Sequence, residues 1–91
     1  MYKTLLAFLV PLGTVSVCFG QTAEEWFYSG VAKFNLKDYR GAIADYNKAI
    51  ELDPTEATAY NNRGHVKLNL EDYRGAIADC NKAIELNPTF A

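Results

Sequence analysis

Residues 23–56 and 57–90 are one 34-residue unit written twice. Aligned at a shift of 34 without a gap, 21 of the 34 positions are identical. Asp38-Tyr39-Arg40-Gly41-Ala42-Ile43-Ala44-Asp45 returns as Asp72-Tyr73-Arg74-Gly75-Ala76-Ile77-Ala78-Asp79, and Asn47-Lys48-Ala49-Ile50-Glu51-Leu52 as Asn81-Lys82-Ala83-Ile84-Glu85-Leu86. A unit of this size cannot bury its apolar faces alone, so the chain must build its core by stacking one copy on the other. About three units are normally needed, and below about 70–80 residues one core supplies at most about 3–5 kcal/mol. Two units therefore imply a marginal core.

Each unit reads as two helices. Trp26, Phe27, Gly30, Val31 and Phe34 recur at spacings of three and four, the period of one helix face. Thr22-Ala23-Glu24-Glu25 is a capping-box pattern that starts the first helix. Asn35-Leu36-Lys37 makes the turn, and Asp38 is placed to cap a second helix carrying Tyr39, Ala42, Ile43, Tyr46, Ala49 and Ile50. Pro54 ends that helix by disfavouring helical geometry at Asp53. The second unit repeats the plan from Tyr60 to about Leu70, with Asp72 as cap and Pro88 as stop. Sustained strand-type alternation is absent, so the fold class is all-α.

A repeating 34-residue helix–turn–helix unit resembles the tetratricopeptide repeat. Trp26, Gly30, Tyr39, Ala42, Tyr46, Ala49 and Pro54 stand at that family's signature positions, as do Tyr60, Gly64, Tyr73, Ala76, Cys80, Ala83 and Pro88. The match covers residues 23–90, as repeats 23–56 and 57–90. Two departures recur. Ser29 and Arg63 replace the leucine common before the glycine, and Lys33 and Lys67 replace the aromatic three residues after it. These read as surface-tolerant changes. The resemblance implies αα-hairpins stacked as a short right-handed solenoid, with Gly30, Gly64, Ala42 and Ala76 allowing close helix approach.

The resemblance also implies a function: a protein–protein interaction scaffold whose first helices line a concave groove for a peptide or a helix. The groove positions are Glu24, Phe27, Tyr28, Val31, Phe34 and Asn35, then Thr58, Asn61, Asn62, His65, Leu68 and Asn69. The first patch is apolar and aromatic, and the second is rich in amides able to pair with peptide backbone. The competing reading makes Phe27 and Phe34 packing residues and the asparagines a solvated surface. A subset of the family clamps chaperone tails by their terminal carboxylate, with Lys and Asn on the first helix. Phe27 and Val31 occupy those positions here and only Asn62 fits, so the resemblance does not extend to that subset.

Ile77, Cys80, Ala83 and Ile84 have no following helix within the 91 residues to cover them. Either the sequence is a fragment of a longer protein, or this end pairs with another protein or with itself. Head-to-tail stacking would give open fibres, and a two-fold pairing would close.

Residues 1–20 form a separate composition block, with 13 apolar side chains and one charge, Lys3. A short basic start, an apolar run and small residues before Gln21 match a secretory signal peptide, implying export to the periplasm or medium. The alternative is a retained membrane anchor, although the run from Thr4 is short for a span and is broken by Pro11. Burial as a helix of the domain is a third reading. Val15-Ser16-Val17-Cys18 resembles a lipid-attachment box but carries Val17 where a small residue belongs.

Chemistry is scarce. His65 is the only histidine, and Cys18 and Cys80 cannot make a disulfide framework. Cys80 takes the place of Tyr46 at an inward position and reads as a small buried apolar residue. Two such groups are too few for a metal site. Asp45 and Asp79, three residues before Lys48 and Lys82, read as helix-surface ion pairs worth tenths of a kcal/mol. No phosphate-binding glycine loop occurs. A net charge of −2 gives no footprint for nucleic acid or an anionic membrane. The expectation is a scaffold without catalysis or cofactor.

Overall fold

The computed structural model describes residues 21–89 as four helices and no strand. They are α1 (Ala23–Asn35), α2 (Tyr39–Leu52), α3 (Ala57–Asn69) and α4 (Tyr73–Leu86). The leader, anchor, buried-helix and lipid-box readings of residues 1–20 lie outside the described residues. No described helix is long and apolar enough to cross a membrane.

Local chemistry sets the helix ends. The Thr22 hydroxyl accepts from the Glu25 N–H at 3.1 Å, and the Glu25 carboxylate accepts from the Thr22 N–H at 3.0 Å. That closes the capping box and satisfies two orphan donors. Asp38 and Asp72 cap α2 and α4 by accepting from Gly41 N and Gly75 N, each at 3.1 Å. A Cβ at either glycine would run into the capping carboxylate, which accounts for both glycines.

The α1–α2 and α3–α4 turns share one design that the sequence conceals. Lys37 and Glu71 stand at φ 65° and 63°, the left-handed region. Asp38 N donates to Lys33 O at 2.8 Å and Lys37 N to Phe34 O at 2.9 Å, and the same bonds recur 34 residues on. This is a Schellman end, normally made with glycine at the left-handed position. The first residue beyond it is already the cap of the next helix, so each hairpin is tight.

α1 packs against α2, α3 against α4, and α3 also packs against α2 and touches α1. A Cβ at Gly30 would lie 2.7 Å from the Tyr46 ring, and one at Gly64 would lie 3.2 Å from Ala76 O and from Asp79 Cβ. Both glycines therefore permit the close approach expected of them. The core is lopsided. Ala42, Tyr46 and Val66 are fully buried, with Phe27, Val31, Phe34, Tyr39 and Ile43 packed around them. Of these large contacts only Val66 comes from the second unit, contributing about 1.5–3 kcal/mol by its burial; the other buried hydrophobics of that unit, Ala57, Ala59, Ala76 and Ala83, are all small.

The open end differs from expectation in part. Ile77 and Ile84 are 61% and 50% exposed, but Ala83 is buried against its own hairpin. Cys80 is half-buried rather than buried, because no described helix covers the α4 face that α3 covers on α2. Tyr73 is 57% exposed, whereas its counterpart Tyr39 packs on Phe34 with ring centroids 5.7 Å apart.

Candidate functional site

α1 and α3 lie side by side, and a hollow of about 510 Å³ opens where their N-terminal ends meet the α2–α3 turn. Glu24, Phe27 and Tyr28 line it from α1, Ala49 and Asp53 from the end of α2, and Glu56 and Thr58 from the start of α3. The turn is held locally: Asp53 Oδ1 accepts from Thr55 N at 3.2 Å and Thr55 Oγ1 at 2.8 Å. Glu56 precedes α3 without making a side-chain cap.

The groove residues expected from the sequence divide by what they touch. Phe27 does two things: it packs on Tyr46 with centroids 5.7 Å apart, and it lines the hollow. Tyr28 stands edge-to-face on Phe27 at 5.2 Å and is 61% exposed. Val31 and Phe34 pack on the core. Asn61 is half-buried, and Asn35 is exposed. Asn62 is half-buried on α3, and its side chain lies close enough to Tyr46 across the unit junction to pull the phenol pKa down. The exposed Asn69 uses its Nδ2 to donate to His65 O at 3.0 Å on its own helix.

His65 and Leu68 belong to a second hollow of about 400 Å³ over α3 and α4, together with Tyr73, Ile77 and Cys80. His65 and Cys80 thus share a hollow although they sit on different helices. No hydrogen bond joins them among the described residues.

The recurrent aspartates are not surface ion-pair partners. Asp45 and Asp79 are each 4% exposed. Ser29 Oγ donates to Asp45 at 2.5 Å, with Lys33 Nζ at 3.1 Å. Arg63 donates to both oxygens of Asp79 at 2.8 and 2.7 Å, with Lys67 Nζ at 3.1 Å. Lys48 and Lys82 pair instead with Glu51 and Glu85. The departures at residues 29, 33, 63 and 67 are therefore the partners of two buried carboxylates, and a buried charge must be paired. The signal was available. Asp45 falls on the stripe of Ala42, Tyr46 and Ala49, which points into the hairpin.

Arg63 does more than pair. Its NH1 donates to Asn47 Oδ1 at 2.7 Å, and its guanidinium lies 5.3 Å over the Tyr60 ring. One side chain on α3 thereby ties α2 to α4. The hydrogen bond to Asp79 raises the Arg63 pKa further, outweighing burial. Burial alone would raise the Asp79 carboxyl, but hydrogen bonds from Arg63 and Lys67, with their charges, hold it below the usual range. Burial pushes the Tyr46 phenol up, and the Asp45 charge adds to that while the Asn62 hydrogen bond opposes it.

Residues 57–90 match the family described as Tetratricopeptide repeat, and residues 30–71 match that described as TPR repeat. The chain is 44% identical over 43 residues to Protein STIP1 homolog of Dictyostelium discoideum, covering 47% of this chain and 8% of that protein. It is 42% identical over 44 residues to Tetratricopeptide repeat protein 36 homolog of Nematostella vectensis, covering 48% and 24%. The chain thus spans less than a quarter of the length of these relatives. Among solved structures it resembles the TPR2B-domain:pHsp70 complex of yeast Sti1, at 40% identity and TM-score 0.73 over 75% of this chain and 54% of that one. MamA is similar at 29% identity and TM-score 0.79, covering 82% and 44%. Four capped helices in two hairpins, a 34-residue period and these matches together make the chain a member of the tetratricopeptide-repeat family.

Proposed function

We propose that the chain is a non-catalytic protein–protein interaction module that receives an extended peptide or a helix along α1 and α3. The observation that carries this is the open hollow of about 510 Å³ between those helices, with Tyr28 standing exposed on its wall. An amphipathic ring at the mouth of a concave site offers contact area at low entropic cost. The likeness to a repeat domain solved as a complex with pHsp70 supports the same reading.

Selection of random peptides displayed on phage against the full chain tests it. The expected result is a recurrent sequence whose binding is weakened by Tyr28→Ala and by Asn61→Ala. These two variants are preferable to Phe27→Ala, whose side chain also packs on Tyr46. Peptides that bind both variants unchanged would contradict the proposal.

Export of the module, with a retained anchor as the alternative, is a further proposal resting on the basic start and apolar run of residues 1–20. N-terminal sequencing of the expressed product checks it: a first residue at or near Gln21 supports export, and Met1 contradicts it. The exposure of Ile77 and Ile84 on α4 supports a second reading, pairing of that face between copies. In a head-to-tail arrangement, Glu25 would come to the position where Ala59 is fully buried, which favours a closed two-fold pair. Sedimentation as a monomer at micromolar concentration would contradict pairing.

A further inference from the structure

The hollow between α1 and α3 carries a sign of charge that its aromatic lining does not suggest. Lys33 pairs with Asp45, and Arg63 and Lys67 share Asp79, which leaves that cluster one net positive charge, but none of the three cations lines the hollow. Among the groove positions of α1 and α3, Glu24 is then the one side chain with a permanent charge. Asp53 and Glu56 face the same hollow from the turn, and none of these three carboxylates enters an ion pair among the described residues. The basic side chains Lys37, Arg40 and Arg74 stand at the opposite ends of the hairpins, at the α1–α2 and α3–α4 turns. One end of the groove is left acidic.

We propose that this hollow receives a lysine or arginine side chain of the bound peptide, a specificity that rests on the groove reading above. The hollow offers both things such a side chain needs. Its aliphatic stem can lie on Phe27 and Tyr28, and its head can meet Glu24, Asp53 and Glu56 at the rim. The face of the exposed Tyr28 ring adds cation–π attraction. The hollow is open to water, so the incoming cation is only partly desolvated, and paired carboxylates offset that cost. An acidic peptide or a terminal carboxylate meets the opposite: three like charges, and no free cation on the wall.

The test uses the full chain and a phage-displayed library of random dodecapeptides, selected at low and at high salt. The proposal expects one recurrent Lys or Arg position in the low-salt peptides. In a synthetic copy of a selected peptide, changing that residue to Gln should weaken binding about tenfold. Glu24→Gln with Glu56→Gln should abolish the preference for the basic residue while retaining binding of the Gln peptide, with Glu71→Gln as the control at the far end. Tyr28→Ala, which removes an exposed ring, should reduce the same preference without touching the core. Peptides selected without a basic position, or enriched in Asp and Glu, overturn this inference and leave the groove reading standing. A preference that survives both the double variant and Tyr28→Ala overturns it too. A library that yields no binder overturns both.

Discussion

The two units share 21 of 34 residues yet occupy different physical situations, and the difference shows what stacking supplies. In the first unit, α2 is sandwiched between α1 and α3, Tyr46 is 1% exposed, and the ring fills the space over Gly30. In the second, Cys80 stands where Tyr46 does, and its surroundings open into a hollow of about 400 Å³. The identical isoleucines tell the same story. Ile43 packs on the core, whereas Ile77 is 61% exposed. The first unit is held by apolar packing that includes a residue of the second. The second leans on charge, through Arg63, Lys67 and Asp79, whose side chains are 18%, 21% and 5% exposed.

That contrast is breakable. Asp79→Ala has the largest expected effect, because it leaves Arg63 and Lys67 half-buried and unpaired. The cost should be about 3–5 kcal/mol, enough to unfold a domain of this size at 25 °C. Asp45→Ala should cost about half as much, since Lys33 is 41% exposed and can turn to water. Urea unfolding followed by circular dichroism gives the order, and equal costs would erase the distinction between the units.

Exchanging the residue that differs at the packing position comes next. Tyr46→Cys should cost about 3 kcal/mol, by loss of buried ring and the cavity left behind. Cys80→Tyr, which enters an open hollow, should cost less than about 1 kcal/mol or stabilise. Thermal melts of both variants measure this.

Titration separates the units without mutation. Asp79 has a depressed folded pKa, so its stabilisation is present above the unfolded carboxyl range and is lost as pH falls through the folded value. Acid should therefore weaken the second unit first, and Asp79→Asn should remove that acid step. Tyr46 has a raised folded pKa, so its contribution is present below the ordinary phenol value of 10.0 and is lost as pH rises through the folded one. Alkali should act on the first unit. Amide signals of α4 broadening before those of α2 in acid, and the reverse order in alkali, is the expected record.

The smallest effects lie at the hairpin turns. Lys37→Gly and Glu71→Gly relieve left-handed backbone at side-chain-bearing residues, and each should stabilise by about 0.5–1 kcal/mol after glycine's entropy cost. A similar gain at both sites would show that the turns, unlike the cores, are equivalent.

The duplication makes the four helices legible in the sequence, because the period, the caps and the proline stops agree with one another. Helix starts were readable at Thr22, Asp38 and Asp72, where side-chain chemistry announces itself. The Schellman turns were hidden, since Lys37 and Glu71 carry none of the usual signal of glycine. Buried charge was the main misreading. Asp45 and Lys48 lie three apart on one helix, which suggested a local pair, while the true partners come from the other helix of the hairpin. Pairing across helices depends on how their faces meet, and composition does not reveal that. Of the expected groove positions, Glu24, Phe27, Tyr28 and Thr58 line the first hollow, Val31 and Phe34 pack on the core, and His65 and Leu68 line the second hollow. Phe27 reads in the sequence as a contact residue, and in the fold it also packs on Tyr46.

The central claim is that the inner sides of α1 and α3 form the contact surface of this protein. Mapping amide chemical shifts of the folded chain while adding a phage-selected peptide tests it directly. The predicted result is a set of shifts concentrated at Glu24, Tyr28, Glu56, Thr58 and Asn61. Shifts confined to the outer faces of α2 and α4, around Ala44 and Ala78, would contradict it.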